Sequence, residues 1–226
     1  QSGCGLEVLM VRWPVDYDGA WTLAGTVRRS GIGLHSGQPV SVTLKPSVDP
    51  GVWVHWSSDD AAPVRLRPSQ VRDSQLCTTL DLGPRRLATV EHLLAAVAGC
   101  GLTHALLEVE GGEIPLLDGS ALGWVEAIAE ADLVEVPGWR PQRPMLEQPL
   151  ALHRGSSVIT APPAEQFSVV GVIDFPQPAI GRQQFALELT PQRFVDEIAP
   201  ARTFGFREQV EQLRAAGLIK GGALDN

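Results

Sequence analysis

A run of four prolines within residues 137–149 divides this chain of 226 residues. Proline fixes φ and carries no backbone N–H, so the run can neither continue a helix nor pair as a central strand. We therefore predict a linker over residues 138–149, between a first domain over residues 21–137 and a second over residues 150–226. Residues 1–20 precede the first strand pattern and are expected to be a leader or a stray N-terminal segment.

The first domain has a pattern of strands followed by helices. Apolar and polar residues alternate on both sides of a glycine-rich turn, as they do in half-buried strands. Thr89 is expected to cap a helix that ends at Gly99 and Gly101, and Ser120 to open a second amphipathic helix. Strands are predicted at residues 21–28, 40–44, 52–56, 64–67, 77–82 and 104–109. Early strands in an antiparallel meander, with two helices on one side, make a two-layer α+β domain.

The sequence after the linker loosely repeats this pattern. Strands are predicted at residues 157–160, 167–174 and 184–189, and helices at residues 191–198 and 206–216. The expected fold class is therefore α+β, with two similar domains of sheet plus helices, of which the second is incomplete.

Charge and composition exclude several classes of protein. The formal net charge is −8, whereas nucleic-acid binding needs a clustered basic face. No stretch reaches the roughly 18 consecutive apolar residues of a membrane span. The three cysteines lack C-x-x-C spacing, which indicates free thiols in a reducing compartment. We therefore expect a soluble, cytoplasmic protein with no nucleic-acid partner and no transmembrane segment.

Glu91 and His92, at the start of the first predicted helix, are the first candidates for chemistry. An imidazole can bind a metal ion while a neighbouring carboxylate accepts a proton from the bound water. The same pair could instead be an acid that stabilises the helix start beside a packed histidine. Both interpretations are open on these two residues alone.

Three other segments are each open to two interpretations. The glycine-rich residues 31–37 can bring backbone amides and His35 to a ligand, or simply form a tight hairpin. Residues 118–120 can be a charged site loop or a turn before a helix. Residues 201–206 combine a cation, a hydroxyl and two aromatic rings, which suits an anionic and partly apolar ligand but also a structural corner.

Five segments occur in a specific order along the chain. They are Gly-Ile-Gly-Leu-His-Ser-Gly at 31–37, Arg-Asp-Ser-Gln-Leu-Cys-Thr-Thr-Leu at 72–80, Thr-Val-Glu-His-Leu-Leu-Ala-Ala at 89–96, Glu-Ile-Pro-Leu-Leu-Asp-Gly-Ser-Ala at 113–121 and Ala-Arg-Thr-Phe-Gly-Phe at 201–206. Together they closely resemble the UDP-3-O-acyl-N-acetylglucosamine deacetylase family. The resemblance implies a zinc-dependent hydrolase that removes the acetyl group from this UDP-linked acylated amino sugar, the committed step of lipid A biosynthesis. It also implies two similar α+β domains with the site between them.

The resemblance also implies roles for individual residues. Glu91 matches the general base, His92 a zinc ligand, and Thr203 the hydroxyl that polarises the acetyl carbonyl. The substrate-binding residues that it implies are, at the cleft, Phe204, Phe206, Cys77 and His35 and, at the uridine end, Asp174 and Phe175.

The sequence departs from the family pattern near its end. In the family, the remaining zinc ligands and a histidine that acts on the leaving amine follow a Gly-Gly segment, which is here Gly221 and Gly222. A catalytic zinc normally has three protein ligands. With only His92 matched, we expect this chain as it stands to hold zinc weakly and to be inactive. The alternative is a non-catalytic UDP-sugar-binding or scaffold domain of the same family.

Overall fold

The structure, a computed structural model, describes residues 11–72, 76–142 and 144–222. The expectations for residues 1–10 and 223–226, and for residues 73–75 of the second family-like segment, lie outside these described residues.

Two regions follow each other along the chain, residues 20–136 and residues 150–222. The first contains β1 (Trp21–Leu23), β2 (Val27–Ile32), β3 (Pro39–Lys45), β4 (Gly51–Trp56), β5 (Val64–Arg65), β6 (Val71–Arg72), β7 (Thr79–Asp81), β8 (Arg86–Ala88), α1 (Glu91–Gly99), β9 (His104–Glu110), α2 (Leu122–Ala131) and β10 (Leu133–Glu135). The second contains β11 (Leu150–Arg154), β12 (Ser157–Ala161), β13 (Ser168–Asp174), β14 (Arg182–Glu188), α3 (Pro191–Arg193), a π-helical turn (Phe194–Ile198) and α4 (Arg207–Ala215).

A five-stranded mixed sheet, in the order β2-β3-β9-β4-β5, lies at the centre of the first region. Its other pairs are antiparallel, but β4 runs parallel to β9, with Val54 opposite Leu107. The expected antiparallel meander of the early strands is therefore wrong between β3 and β4, which do not pair because β9 lies between them. The physical reason is the long crossover through β5–β8 and α1, which returns the chain to the sheet in the same direction.

One face of this sheet and the two helices α1 and α2 form the hydrophobic core. The alternation of apolar residues along the strands turns one set of side chains toward the helices. The core includes Val42, Leu44, Val54, Leu107 and Val109 from the strands and Leu93, Val97, Trp124, Val125 and Ile128 from the helices. Burying each such side chain contributes about 1.5–3 kcal/mol. The fold is α+β with sheet-plus-helix layers, as predicted.

The starts of the two helices differ from the prediction in detail. The N-cap residue of α1 is Val90, with no side-chain cap bond, so the prediction that Thr89 caps this helix is wrong. The hydroxyl of Thr89 instead donates to Glu113. α2 begins at Leu122, and the hydroxyl of Ser120 accepts from the Leu122 N–H at 3.0 Å. Ser120 therefore does satisfy an amide at the helix start, as expected for a polar residue there.

The single strand predicted over residues 21–28 is two strands. β1 pairs with β10, whereas β2 pairs with β3. The break falls at Ala24 and Gly25, whose amides donate to the carbonyls of Asp132 and Ala131 at 2.9 and 2.8 Å. These bonds tie the chain to the end of α2 instead of to a strand.

The second region consists of two exposed hairpins and three helical segments. The hairpins are β11–β12 and β13–β14, and Leu187 is the one strand residue in them that is buried. β11 was not predicted, because its five residues directly follow the proline run and show no buried face. Phe194 and Ala199 pack into the core of the first region. The domain boundaries and the likeness between two domains stay predictions.

Candidate active site

The start of α1 presents Glu91 and His92 side by side. Buried Leu93 and Val97 fix this helix against the sheet. Glu91 lies in the first turn, where the helix dipole favours a carboxylate, and its Oε2 accepts from the Thr78 N–H at 3.0 Å. His92 is half-buried. Adjacent helical residues point about 100° apart, so the two side chains can act on one ligand from different directions.

The segment before β7 brings Cys77 to the same place. Cys77 precedes Thr78, the residue whose amide holds Glu91, and its thiol lies 3.6 Å from Thr79 Oγ1. Cys77 is half-buried. The predicted cleft residue Cys77 is thus the immediate chain neighbour of the residue whose amide binds Glu91.

The glycine-rich turn between β2 and β3 is a tight hairpin, and two of its amides bind the carboxylate of Glu113. The N–H groups of His35 and Ser36 donate to Glu113 Oε1 and Oε2, each at 2.9 Å. A Cβ on Gly33 would collide with Glu113 Oε2 and with Ser36 Oγ, so only glycine leaves room for this carboxylate. These two amides therefore bind a side chain of the protein itself, which favours the hairpin interpretation of residues 31–37 over the ligand-binding one. His35 Nε2 is buried and finds no hydrogen-bond partner within the described part of the chain.

Glu113 is a buried carboxylate that remains ionised because of its partners. Burial acts to raise its pKa, but hydrogen bonds from the amides of His35 and Ser36, then from the hydroxyls of Ser36 and Thr89, outweigh it and hold the pKa below its ordinary value. Donors from the turn and from the start of α1 thus converge on one negative charge.

The segment that begins at Glu113 leads to the predicted residue Thr203. The Thr203 N–H donates to the carbonyl of Gly119 at 2.8 Å, and the Ala121 N–H donates to the carbonyl of Ala199 at 3.1 Å. Arg202 Nε donates to the Asp118 carbonyl at 2.6 Å. Residues 113–121 therefore connect the start of α1 to residues 199–203 of the second region.

The carboxylate of Asp118 fixes the turn at residues 118–120 through hydrogen bonds. Its Oδ1 accepts from the amide of Ser120 at 3.0 Å and from its hydroxyl at 2.7 Å. Burial acts to raise the pKa of Asp118, but the Ser120 hydrogen bonds and the charge of Arg202 outweigh it and hold the pKa below its ordinary value. Residues 118–120 are thus both a turn before α2 and a contact surface for Thr203 and Arg202.

Three predicted substrate-binding aromatic residues lie together. The ring centroids of Phe175 and Phe204 are 5.6 Å apart, those of Phe175 and Phe206 5.8 Å, and those of Phe204 and Phe206 5.9 Å. Phe175 follows β13, and its amide donates to the Gly181 carbonyl at 3.0 Å. Asp174, the last residue of β13, is exposed opposite Arg182.

The predicted site residues therefore form two groups. Glu91, His92 and Cys77 lie at the start of α1, and His35 joins them through Glu113. Phe175, Phe204 and Phe206, with the adjacent Asp174 and Thr203, form the other group. Sequence reasoning missed Glu113 and the hydroxyl of Thr89. A usable signal was present, because Glu113 is an acidic residue directly before the apolar run at residues 114–117.

The residues present do not complete a metal site. Within residues 11–72, 76–142 and 144–222, no group of three or more His, Cys, Asp or Glu side chains is arranged to hold a metal ion. A catalytic zinc takes three protein ligands, so His92 belongs to no complete ligand set among these described residues. In the same described ranges, no helix combines the length and the apolar character that a membrane crossing requires.

Comparisons with known proteins identify the family of this chain. Residues 20–226 match the family described as UDP-3-O-acyl N-acetylglycosamine deacetylase (LpxC). A UDP-3-O-acyl-N-acetylglucosamine deacetylase of Thermosynechococcus vestitus is 42% identical over 207 residues, which cover 91% of this chain and 72% of that protein. Proteins of the same name from an Anaeromyxobacter species and from Trichormus variabilis are 41% and 40% identical, over 91% of this chain and 67% and 75% of their own lengths. The chain belongs to the UDP-3-O-acyl-N-acetylglucosamine deacetylase family.

Proposed function

We propose that this protein removes the acetyl group from UDP-3-O-acyl-N-acetylglucosamine in lipid A biosynthesis. The observation that carries the proposal is the segment at residues 113–121, which bonds to Thr89 before the Glu91–His92 pair and to Thr203 in the second region. Hydrolysis of an amide is assisted by a general base that activates the attacking water and by a donor that stabilises the oxyanion. The names of the relatives support the choice of substrate.

Glu91 is proposed as the general base. The Thr78 amide holds Oε2 of its carboxylate at 3.0 Å, which orients the side chain at the first turn of α1. A carboxylate fixed in this way accepts a proton from the water that attacks the acetyl carbon, and later returns it to the leaving amine. The proposed partner is Thr203, whose hydroxyl donates to the acetyl oxygen as negative charge develops on it.

The aromatic group is proposed to bind the substrate. Phe175, Phe204 and Phe206 offer an apolar surface with ring edges and faces, and Phe204 is 58% exposed and therefore accessible. Asp174, next to Phe175, would bind the uridine end, whereas Cys77 and His35 would line the cleft near the start of α1. We infer a cytoplasmic location, because the substrate is a nucleotide sugar.

Zinc is the proposed cofactor, with His92 as one ligand, and this part rests on the family resemblance. The described residues supply no complete ligand set around His92, so no step above is derived through a metal. We expect the purified chain of 226 residues to retain substoichiometric zinc after dialysis and to be inactive in that state, measured by elemental analysis and by a deacetylation assay without added zinc.

The first test is Glu91→Gln, assayed for deacetylation in the protein supplied with zinc. The amide keeps the shape but accepts no proton, so turnover is expected to fall about 100-fold or more while zinc content stays unchanged. Glu126→Gln, the same change on the exposed face of α2, is the control and should retain wild-type turnover. Equal turnover of Glu91→Gln and wild type would contradict the role of Glu91.

The second test is Thr203→Val. Valine keeps the shape and removes the hydroxyl, so kcat is expected to fall by about 100-fold, the usual effect of losing one oxyanion donor. The free energy of unfolding should change little, because the Thr203 contact with Gly119 uses the backbone amide. Thr160→Val, on the exposed strand β12, is the matched control. A fall in kcat that follows entirely from unfolding would contradict the role of Thr203.

The observation that favours the alternative, a non-catalytic UDP-sugar-binding or scaffold domain, is that the described residues form no group of three metal ligands that includes His92. Two measurements on the wild-type chain separate the functions: turnover with added zinc, and binding of the UDP sugar by calorimetry. Binding without turnover would support the alternative, and the absence of both would overturn the deacetylase proposal.

A further inference from the structure

Thr89, two residues before Glu91, has an unusual backbone conformation. Its φ is +57°, and its side chain is only 2% exposed. A β-branched residue rarely adopts this left-handed conformation, which persists only where surrounding contacts enforce it. This residue joins β8 to α1, so its conformation sets the direction in which the helix starts.

Glu113 supplies the contact that enforces this conformation. The Thr89 hydroxyl donates to Glu113 Oε1 at 2.9 Å. The backbone around Glu113 is fixed as well, because Ala88 donates to the Gly112 carbonyl and accepts from the Ile114 N–H, each at 3.0 Å. The side chain of Glu113 and the backbone of its two neighbours therefore both bind the junction between β8 and α1.

The same carboxylate holds the glycine-rich turn. Both of its oxygens are used, since the His35 and Ser36 amides donate to Oε1 and Oε2. Gly33 leaves the space that the carboxylate occupies. One buried group thus fixes the turn that carries His35 relative to the helix start that carries Glu91 and His92.

We propose that Glu113 is a positioning residue for the deacetylation: it binds Thr89 and the amides of residues 35 and 36, and thereby orients the first turn of α1. The inference rests on the proposed function. Glu113 transfers no proton in this role and acts only through Glu91 and its neighbours. Misplacing reacting groups by about 1 Å costs on the order of 100-fold in rate. A loss of this size is expected in kcat, with little change in KM.

The experiment compares Glu113→Gln with wild type in two independent measurements. Steady-state kinetics gives kcat and KM. Native-state amide hydrogen exchange gives the protection of His35, Ser36 and Thr78, the last of which donates to Glu91. If Glu113 fixes only the glycine-rich turn, Glu113→Gln should accelerate exchange only at His35 and Ser36. If Glu113 is a positioning residue, the substitution should also accelerate exchange at Thr78, because Glu91 no longer stays in place.

A second pair of variants covers the case in which Glu113→Gln does not fold. Thr89→Ser keeps the hydroxyl and should retain wild-type kcat and wild-type protection at Thr78. Thr89→Val removes the hydroxyl and should lose both. Glu147→Gln, which changes an exposed carboxylate within the proline run, is the control and should match wild type.

The outcomes are decisive in each direction. Wild-type kcat in folded Glu113→Gln, or equal behaviour of Thr89→Ser and Thr89→Val, overturns the inference. Unchanged protection at Thr78 in both Glu113→Gln and Thr89→Val overturns it as well. Absence of turnover in wild type is a failure of the proposed function instead, and exchange at Thr78 then decides the positioning role by itself.

Discussion

The central sheet of the first region and the two hairpins of the second region have similar sequence patterns and opposite environments. In β3 and β9, Leu44 and Leu107 are each 1% exposed, whereas in β11 and β13, Leu152 and Val170 are 72% and 63% exposed. The difference is that α1 and α2 cover one face of the sheet, while no described residues cover the hairpins to the same extent. Alternation of apolar residues therefore specifies a strand, but burial requires a second layer.

This comparison also separates the two groups of site residues. Glu91 and Glu113 belong to elements anchored in the core, so their positions are set by many contacts. Thr203 and Phe204 lie on an exposed segment that is joined to the first region by a few backbone hydrogen bonds. We expect mutations near the first group to change stability more than mutations near the second.

The largest expected effect is that of one leucine truncation made in both regions. Leu93→Ala in α1 removes a side chain that is 0% exposed, and should lower the free energy of unfolding by about 2–5 kcal/mol. Leu152→Ala in β11 should change it by less than about 0.5 kcal/mol. Urea unfolding followed by circular dichroism measures both. Equal losses would show that the hairpins are covered in solution.

A smaller effect is expected from one glycine substitution made in both regions. Gly33→Ala places a Cβ against the Glu113 carboxylate, which four donors from His35, Ser36 and Thr89 hold in place, and should destabilise the protein by about 1–3 kcal/mol. Gly171→Ala in β13 meets open space and should be neutral or slightly stabilising. The same urea titration serves for both variants. A neutral Gly33→Ala would contradict the tight packing of the turn on Glu113.

The smallest effect concerns pH. The pKa of Glu113 is lower in the folded protein than its ordinary value of 4.5, so its ionised form stabilises the fold above that pH. This stabilisation is lost as the pH falls from about 4.5 through the folded-state pKa. The difference in unfolding free energy between wild type and Glu113→Gln should therefore shrink on acidification. Exposed Glu147→Gln should instead follow wild type at each pH, and a constant difference for Glu113→Gln would contradict the prediction.

Much of the first region could be predicted from the sequence because its periodicities are local. The alternation at residues 40–44 predicted β3, the mainly apolar run at residues 104–109 predicted β9 as a buried strand, and the helix formers before Gly99 and Gly101 predicted α1. The start of α1 could not be predicted in the same way. The conformation of Thr89 depends on Glu113, and no local rule connects a threonine to an acid that follows a whole helix and strand later.

The candidate site shows the same limit. Glu91, His92 and residues 201–206 stand out as chemical groups in the sequence, and the aromatic residues Phe175, Phe204 and Phe206 do lie together. The parallel pairing of β4 with β9 and the contact of Gly119 with Thr203 depend on how distant segments meet. Such contacts follow from packing and are absent from any sequence window.

The contact of Gly221 with the glycine-rich turn bears on the order of folding. The Gly221 N–H donates to the Leu34 carbonyl at 2.9 Å, and a Cβ on Gly221 would collide with the carbonyl of Gly33. These residues come from early and late parts of the described chain, so the contact closes a very long loop. Non-local contacts of this kind form slowly, because the entropy of loop closure is lost before the contact stabilises anything. During synthesis on the ribosome, the turn beside His35 therefore acquires its final neighbours only after both regions have been made.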